Sequence, residues 1–202
     1  MNIGFIADMP ERSLPALRTS IEQYGFACLP DALRADALDS LQREAEASKN
    51  EALRADGNQE VSYQARIAPL GPCARAFLTS DALGSMLARV FDSPLACSET
   101  ASCFTYYETG DFLSAHRDRA DVCEFTVILY LHTQRPMHVT TSTGLLLNVY
   151  SDGPEQARAL ALVIATQTGS LVFGRGAAVL HERPPLSQGE AVVALTSCFM
   201  RC

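Results

Sequence analysis

The sequence feature that most limits how this chain can fold is a change of periodicity near residue 95. From there onward, apolar and polar residues alternate in short runs, and turn-forming residues separate the runs. Eight such runs follow one another: ASCFTYYE, FLSAHRD, EFTVILYLHT, TGLLLNVYS, ALALVIAT, SLVFGRG, AVLHER and EAVVALTSCFM. This density of strands predicts a two-sheet jelly roll over residues 96–202.

Residues 1–95 mostly have the spacing of amphipathic helices instead. We expect Asp31 and Ser80 to cap two of these helices, because their side-chain oxygens accept from free backbone N–H groups. The polar stretch at residues 49–60 is predicted to be a mobile loop or a frayed helix end. We therefore predict one domain, residues 1–202, in which a helical N-terminal half (1–95) supports a mostly β core. The predicted helices cover about residues 13–23, 31–48 and 80–90.

Charge and composition limit the partners of the chain. Its net charge is −7 and Lys49 is its one lysine, which argues against a nucleic acid partner because phosphate binding relies on clustered Lys and Arg. No apolar run reaches the roughly 18 residues of a membrane span. The N-terminus lacks the basic and apolar regions of a signal peptide. We expect a cytoplasmic protein without a membrane partner.

The chain has seven cysteines, an odd number, and no pair has CxxC spacing. In a reducing cytoplasm this pattern favours free thiols over disulfides. A zinc site built from these cysteines has no spacing to support it.

A candidate metal site begins with His116 and Asp118, which are separated by one residue in a strand-like run. Alternate residues of a strand point to the same face, so an imidazole and a carboxylate would lie side by side. A later histidine, His181, would complete a facial triad of two histidines and one carboxylate. Such a triad suits Fe(II) because it leaves coordination positions open. Since His-x-Asp is common by chance, His116 and Asp118 could also be ordinary surface residues. His132 and His138 are alternative metal ligands.

Residues 100–200 resemble the Fe(II)/2-oxoglutarate-dependent dioxygenases, in particular their prolyl-hydroxylase-like branch. The segments that carry the resemblance are FTYYETGDFLSAHRD followed by TVILYL, then TGLLLNVYS, and finally GSLVFGRGAAVLHERPPLSQGE. The resemblance implies a double-stranded β-helix, the cupin-like form of the jelly roll. It also implies that His116, Asp118 and His181 are catalytic metal ligands, with Fe(II), 2-oxoglutarate and O2 as cofactors. Tyr130 matches a family tyrosine that contacts 2-oxoglutarate.

The chain departs from this family at one important position. Most members have an arginine nine or ten residues after the distal histidine, which pairs with the far carboxylate of 2-oxoglutarate; here those positions are Glu190 and Ala191. Three explanations stay open. In the first, another cation replaces the missing arginine. In the second, hydroxyl groups hold the far carboxylate of 2-oxoglutarate. In the third, the enzyme does not use 2-oxoglutarate. The candidate cations are Arg183, which shares the face of His181 if its strand continues, and Arg66; the candidate hydroxyls are Tyr130, Tyr107 and Thr196.

The expected function is that of a mononuclear non-haem Fe(II) dioxygenase that oxidises a C–H bond by hydroxylation, desaturation or cyclisation. We expect its substrate to be a small molecule, such as an amino acid or a biosynthetic intermediate. By the same resemblance, the carboxylate at Asp118 argues against halogenation. The alternatives are an Fe(II) oxygenase that does not use 2-oxoglutarate, a non-catalytic cupin-like binding module, and a protein prolyl hydroxylase. The sequence does not predict the oligomeric state.

Overall fold

The computed structural model describes residues 4–7, 13–57, 61–136, 143–151 and 159–202. Within them, the helices are α1 (Ser13–Tyr24), α2 (Ala35–Ser48), α3 (Pro72–Leu78) and α4 (Asp81–Phe91), with a short 3-10 turn at Lys49–Glu51. The strands are β1 (Phe26–Leu29), β2 (Leu53–Asp56), β3 (Tyr63–Ala68), β4 (Leu95–Tyr107), β5 (Phe112–His116), β6 (Phe125–Gln134), β7 (Leu146–Tyr150), β8 (Leu160–Ala165), β9 (Leu171–Gly174), β10 (His181–Arg183) and β11 (Ala191–Arg201).

The strands of the described residues join in one antiparallel sheet that folds back on itself. Its order is β1-β9-β6-β11-β4-β3-β5-β10-β7-β8, and β2 pairs with β3 outside this path. The long strand β11 lies between β4 and β6, and β10 lies between β5 and β7. This arrangement confirms the predicted mostly β jelly roll with flanking helices.

Two apolar clusters lie on opposite sides of this sheet. One fills the space between the sheet and the helices, and the other fills the interior of the jelly roll. Strand β6 contributes side chains to both clusters, because Val127 and Leu129 face the helices while Ile128 and Tyr130 face the interior. Burial on both faces explains why this strand reads as a continuous apolar run.

The N-terminal half contributes strands as well as helices. Strands β1, β2 and β3 belong to the sheet, so residues 1–95 build part of the barrel wall. The organisation into a single domain, residues 1–202, stays a prediction. None of the described helices combines the length and the apolar composition that crossing a bilayer requires.

Two local predictions for this half are wrong. The 3-10 turn at Lys49–Glu51 continues α2 as a frayed helix end would, but the next residues are neither loop nor helix. They form strand β2, which pairs with β3, and Arg54 joins it to the buried Asp111 by an ion pair of 2.8 Å. Asp31 is not a helix cap, because it has a φ of 48° and α2 begins four residues later, with Arg34 at its N-cap. Ser80 does cap α4, where its hydroxyl accepts from the N–H of Leu83 at 3.3 Å.

The prediction that all cysteines are free thiols is wrong for two of them. Cys123 and Cys198 form a disulfide between the turn that follows β5 and strand β11, with their Cα atoms 4.6 Å apart. The pairing of β6 with β11 brings them together, because Cys198 lies opposite Thr126. The other five cysteines are free.

We expect removal of this disulfide to lower the free energy of unfolding by about 4 kcal/mol, because it closes a loop of 75 residues in the unfolded chain. Chemical denaturation of the double variant Cys123→Ser/Cys198→Ser measures the loss. A thiol reductant should destabilise the wild type and leave the double variant unchanged. Cys202→Ser, which removes an exposed free thiol, is the control. A wild-type midpoint that does not respond to reductant would contradict this expectation.

Candidate active site

The pairing of β5 with β10 brings the two candidate histidines together. His116 is the last residue of β5, His181 is the first residue of β10, and the two are direct register partners. Their ring centroids are 4.4 Å apart. Asp118 follows just beyond the end of β5, and its backbone N–H donates to the carbonyl of Gly176 at 3.0 Å.

The three side chains converge on one point. Asp118 Oδ1 lies 3.2 Å from Nε2 of His116 and 3.8 Å from Nε2 of His181. One ligand atom from each of the three residues lies within 4.8 Å of the others. Adjacent ligands of an ion with bonds of about 2.1 Å lie about 3 Å apart, so small movements would seat a metal ion here.

Hydrogen bonds fix which ring nitrogen of each histidine is available. Nδ1–H of His116 donates to the carbonyl of Ser114 at 2.9 Å, and Nδ1–H of His181 donates to that of Val179 at 3.0 Å. Because a carbonyl only accepts, each ring in its neutral form presents the lone pair of Nε2 to Asp118 Oδ1. Lone pairs and a carboxylate oxygen repel one another unless a cation lies between them. The donor set therefore fits a divalent metal ion.

The environment favours the protonation states that metal binding requires. Burial lowers the pKa of His181 below its ordinary value and outweighs the attraction of Asp118, so the ring stays neutral. Burial alone would raise the pKa of Asp118, but its contacts with the two imidazoles and the hydrogen bond from Thr126 outweigh burial and lower the pKa. A neutral imidazole and an ionised carboxylate are the forms that bind metal.

The ring of His181 is also held by packing. The ring of Phe26 on β1 contacts it at a centroid distance of 5.0 Å. Gly174 makes room for Phe26, since a Cβ at this position would lie less than 3.0 Å from the phenyl ring. Strand β1, from the N-terminal half, thus helps to orient the distal histidine.

Arg183 lies on the same interior face as His181 and is only 4% exposed. Its guanidinium donates to the hydroxyl of Thr166 at 3.1 Å and to that of Tyr130 at 2.9 Å. The rings of Tyr107 and Tyr130 lie 5.1 and 5.3 Å from the guanidinium carbon. In the described part of the chain, no carboxylate pairs with this buried cation.

Strand β11 carries no cation at the level of these tyrosines. Val192 is the register partner of Tyr107 and Ala194 that of Tyr130, and both face the interior. Glu190 points elsewhere, because its carboxylate accepts from the N–H groups of Ser187 and Gly144, both at 2.8 Å. Small apolar residues on β11 leave space for the guanidinium that β10 supplies.

Two other candidates for cosubstrate binding lie apart from this cluster. Ala65 faces the interior, so Arg66 beside it faces the helices and donates to the carbonyls of Lys49 at 2.9 Å and Ala52 at 3.2 Å. The hydroxyl of Thr196 accepts from that of Thr105 at 3.1 Å.

The alternative metal ligands do not join the site either. His132 is exposed on β6 and is not part of the metal cluster. His138 lies outside the described residues.

Three residues near the site were missed by the sequence reasoning. Thr126 donates a short hydrogen bond to Asp118, Gly176 lies against the same carboxylate, and Thr166 holds Arg183. Thr126 is the threonine of TVILYL and Gly176 is the second glycine of Gly-Arg-Gly, so both lie within the segments that carried the resemblance. Nothing in the sequence around Thr166 marks it.

The fold is similar to those of several solved oxygenases, although neither a family model nor a curated protein sequence matches this chain. A prolyl-4-hydroxylase of Pseudomonas putida is 19% identical with a TM-score of 0.63, and the alignment covers 94% of this chain and 99% of that one. The epimerase SnoN from nogalamycin biosynthesis, in complex with Fe3+, alpha ketoglutarate and nogalamycin RO, is 14% identical with a TM-score of 0.69, covering 95% and 85%.

HygX from Streptomyces hygroscopicus, with nickel, 2-oxoglutarate and hygromycin B bound, is 14% identical with a TM-score of 0.61, and the alignment covers 96% of this chain and 88% of that one. All three similarities extend over nearly the whole chain. The chain therefore has the fold of the 2-oxoglutarate-dependent Fe(II) oxygenases.

Proposed function

We propose that this chain is a mononuclear non-haem Fe(II) enzyme that uses 2-oxoglutarate and O2 to oxidise a C–H bond of a small molecule. The observation that carries the proposal is Arg183, a buried guanidinium without a carboxylate partner in the described residues, two positions from a candidate metal ligand. The fold and the converging triad support the metal, and Arg183 supports the cosubstrate.

In this proposal His116, Asp118 and His181 hold the iron. Bound there, Fe(II) supplies the O2 chemistry that couples decarboxylation of 2-oxoglutarate, to succinate and CO2, with oxidation of the substrate. The chain's own contribution is to bind the metal from one side only. A facial arrangement of three protein ligands leaves the opposite side free for cosubstrate and O2.

Arg183 would bind the far carboxylate of 2-oxoglutarate. Burying an uncompensated cation costs several kcal/mol, whereas contact with aromatic rings returns only about 1–2 kcal/mol. Of the five N–H donors of the guanidinium, the described residues accept two, and the rest remain for a ligand. A carboxylate matches this planar donor set. The cation that binds the far carboxylate would then come from β10 rather than β11. This accounts for Glu190 and Ala191 at the positions where most members of the family have arginine.

The two tyrosines would complete the carboxylate site. The hydroxyl of Tyr130 accepts from Arg183, so its own proton is available to donate to the same carboxylate. Burial raises the pKa of Tyr107, which keeps its phenol neutral beneath the guanidinium. A neutral ring avoids placing a second anion against the ligand.

A small-molecule substrate is favoured by two of the similar structures, since SnoN holds nogalamycin RO and HygX holds hygromycin B. The similarity to the prolyl-4-hydroxylase of Pseudomonas putida keeps a prolyl side chain as a second candidate. A substrate panel of small molecules together with proline-containing peptides distinguishes the two, because turnover of 2-oxoglutarate should rise only with the matching class.

The proposal is tested with metal-free protein reloaded with Fe(II). Anaerobic calorimetry should show 2-oxoglutarate binding that depends on the metal, and succinate should form when O2 is admitted. Protein loaded with Zn(II) is the control, since it should form none. Iron binding without 2-oxoglutarate binding would instead support an oxygenase with a different electron source. Binding of both without succinate, across the panel, would support a non-catalytic module.

A further inference from the structure

The carboxylate ligand is supported differently from the two histidines. Each imidazole is tied to a backbone carbonyl of a nearby residue, whereas Asp118 lies beyond the end of β5 and is held there by the bond from its N–H to Gly176. The terminal torsion of an aspartate side chain is broad. The surroundings must therefore determine which carboxylate oxygen faces the metal.

Thr126 fixes the outer oxygen of Asp118. Oδ1 faces the two histidines, and Oδ2 accepts a short hydrogen bond from the hydroxyl of Thr126. Thr126 is buried in β6, between the register partners Gly174 on β9 and Cys198 on β11. Because β6 is paired on both sides, the donor has a fixed position.

Gly176 packs closely against Oδ2 of Asp118. A Cβ added at this residue would lie less than 3.0 Å from both Asp118 Oδ2 and Thr126 Oγ1. Real Cβ atoms essentially never approach so closely, and neither atom is the far end of a long, flexible side chain. Any residue other than glycine would displace the carboxylate, the hydroxyl or both.

We infer that Thr126 and Gly176 are positioning residues that hold Asp118 as a ligand through one oxygen only. A carboxylate free to bind through both oxygens would occupy a coordination position that cosubstrate or O2 needs. This inference rests on the metal site of the proposed function, and it adds how that site keeps positions open.

Thr126→Val tests the inference, because valine keeps the shape of threonine and removes the donor. Co(II) replaces Fe(II), since its absorption spectrum reports coordination number and its affinity can be measured by competition with a chelator. We expect Thr126→Val to weaken Co(II) binding about tenfold, in the range for groups that orient metal ligands, and to change the spectrum. Thr126→Ser should restore both. Gly176→Ala should weaken binding at least as much as Thr126→Val.

Thr105→Val is the matched control, because it removes a buried strand hydroxyl that bonds to Thr196 rather than to a metal ligand. It should leave both the affinity and the spectrum unchanged. Wild-type affinity and spectrum in Thr126→Val would overturn the inference while leaving the metal site intact. Failure of the wild type to bind Co(II) would overturn the proposed metal site and this inference together.

Discussion

Replacing Arg183 with methionine is expected to weaken 2-oxoglutarate binding to the Fe(II) protein by about thirtyfold or more, without a loss of metal binding. Truncating one partner of a buried, hydrogen-bonded charge pair costs about 2–5 kcal/mol, which corresponds to that range. Methionine fills the space between Tyr107 and Tyr130 and supplies neither charge nor donors. Anaerobic calorimetry measures the affinity for 2-oxoglutarate, and metal titration checks that iron still binds.

Stability measurements separate this role from a structural one. Without ligand, Arg183→Met should be at least as stable as the wild type, because it removes an uncompensated buried cation. Addition of 2-oxoglutarate should raise the denaturation midpoint of the Fe(II)-loaded wild type but not that of Arg183→Met. Arg183→Lys should bind weakly, since an ammonium lacks the planar fork.

Arg66→Met is the control for this experiment. It should lose stability, because the bonds from Arg66 to the carbonyls of Lys49 and Ala52 disappear. It should nevertheless bind 2-oxoglutarate as the wild type does. Normal 2-oxoglutarate binding by Arg183→Met would show that Arg183 is not the anchor.

Replacing Asp118 with alanine is expected to lower the affinity for Fe(II) by about a hundredfold or more, beyond the loss typical of residues that merely orient a ligand. The change removes the one anionic donor of the triad and leaves two neutral imidazoles. Competition with a chelator under anaerobic conditions measures the effect. Asp121→Ala is the control, because Asp121 is exposed in the same turn and pairs with Arg119. Equal losses in both variants would indicate that general acidity, not the triad, attracts the metal.

The sequence predicted best those features that depend on residues close together in the chain. The alternating runs after residue 95 predicted the jelly roll, and alternation within β10 predicted that His181 and Arg183 share one face. The partners of Arg183 were not predictable in this way. Thr166 follows β8 and Tyr130 lies on β6, and only the folded sheet brings them together.

Two features that the sequence did not reveal have a similar origin. Arg66 was a candidate anchor because the residues of β3 do not alternate sharply enough to show that Ala65 faces the interior and Arg66 the helices. The disulfide was missed because Cys123 and Cys198 are 75 residues apart and meet only through the pairing of β6 with β11. In both cases the deciding information is the register of distant strands, which composition and spacing do not contain.

Strand β10 holds the distal histidine and the buried arginine on one three-residue segment. The distance between their Cα atoms is therefore set by two peptide units, about 6–7 Å, and not by the alignment of two separate strands. For a dicarboxylate that joins the metal to Arg183, this covalent spacing would set the length of carbon chain that fits. Diacids one carbon shorter or longer than 2-oxoglutarate would then bind more weakly, because hydrogen bonds to Thr166 and Tyr130 also hold the guanidinium of Arg183 in place.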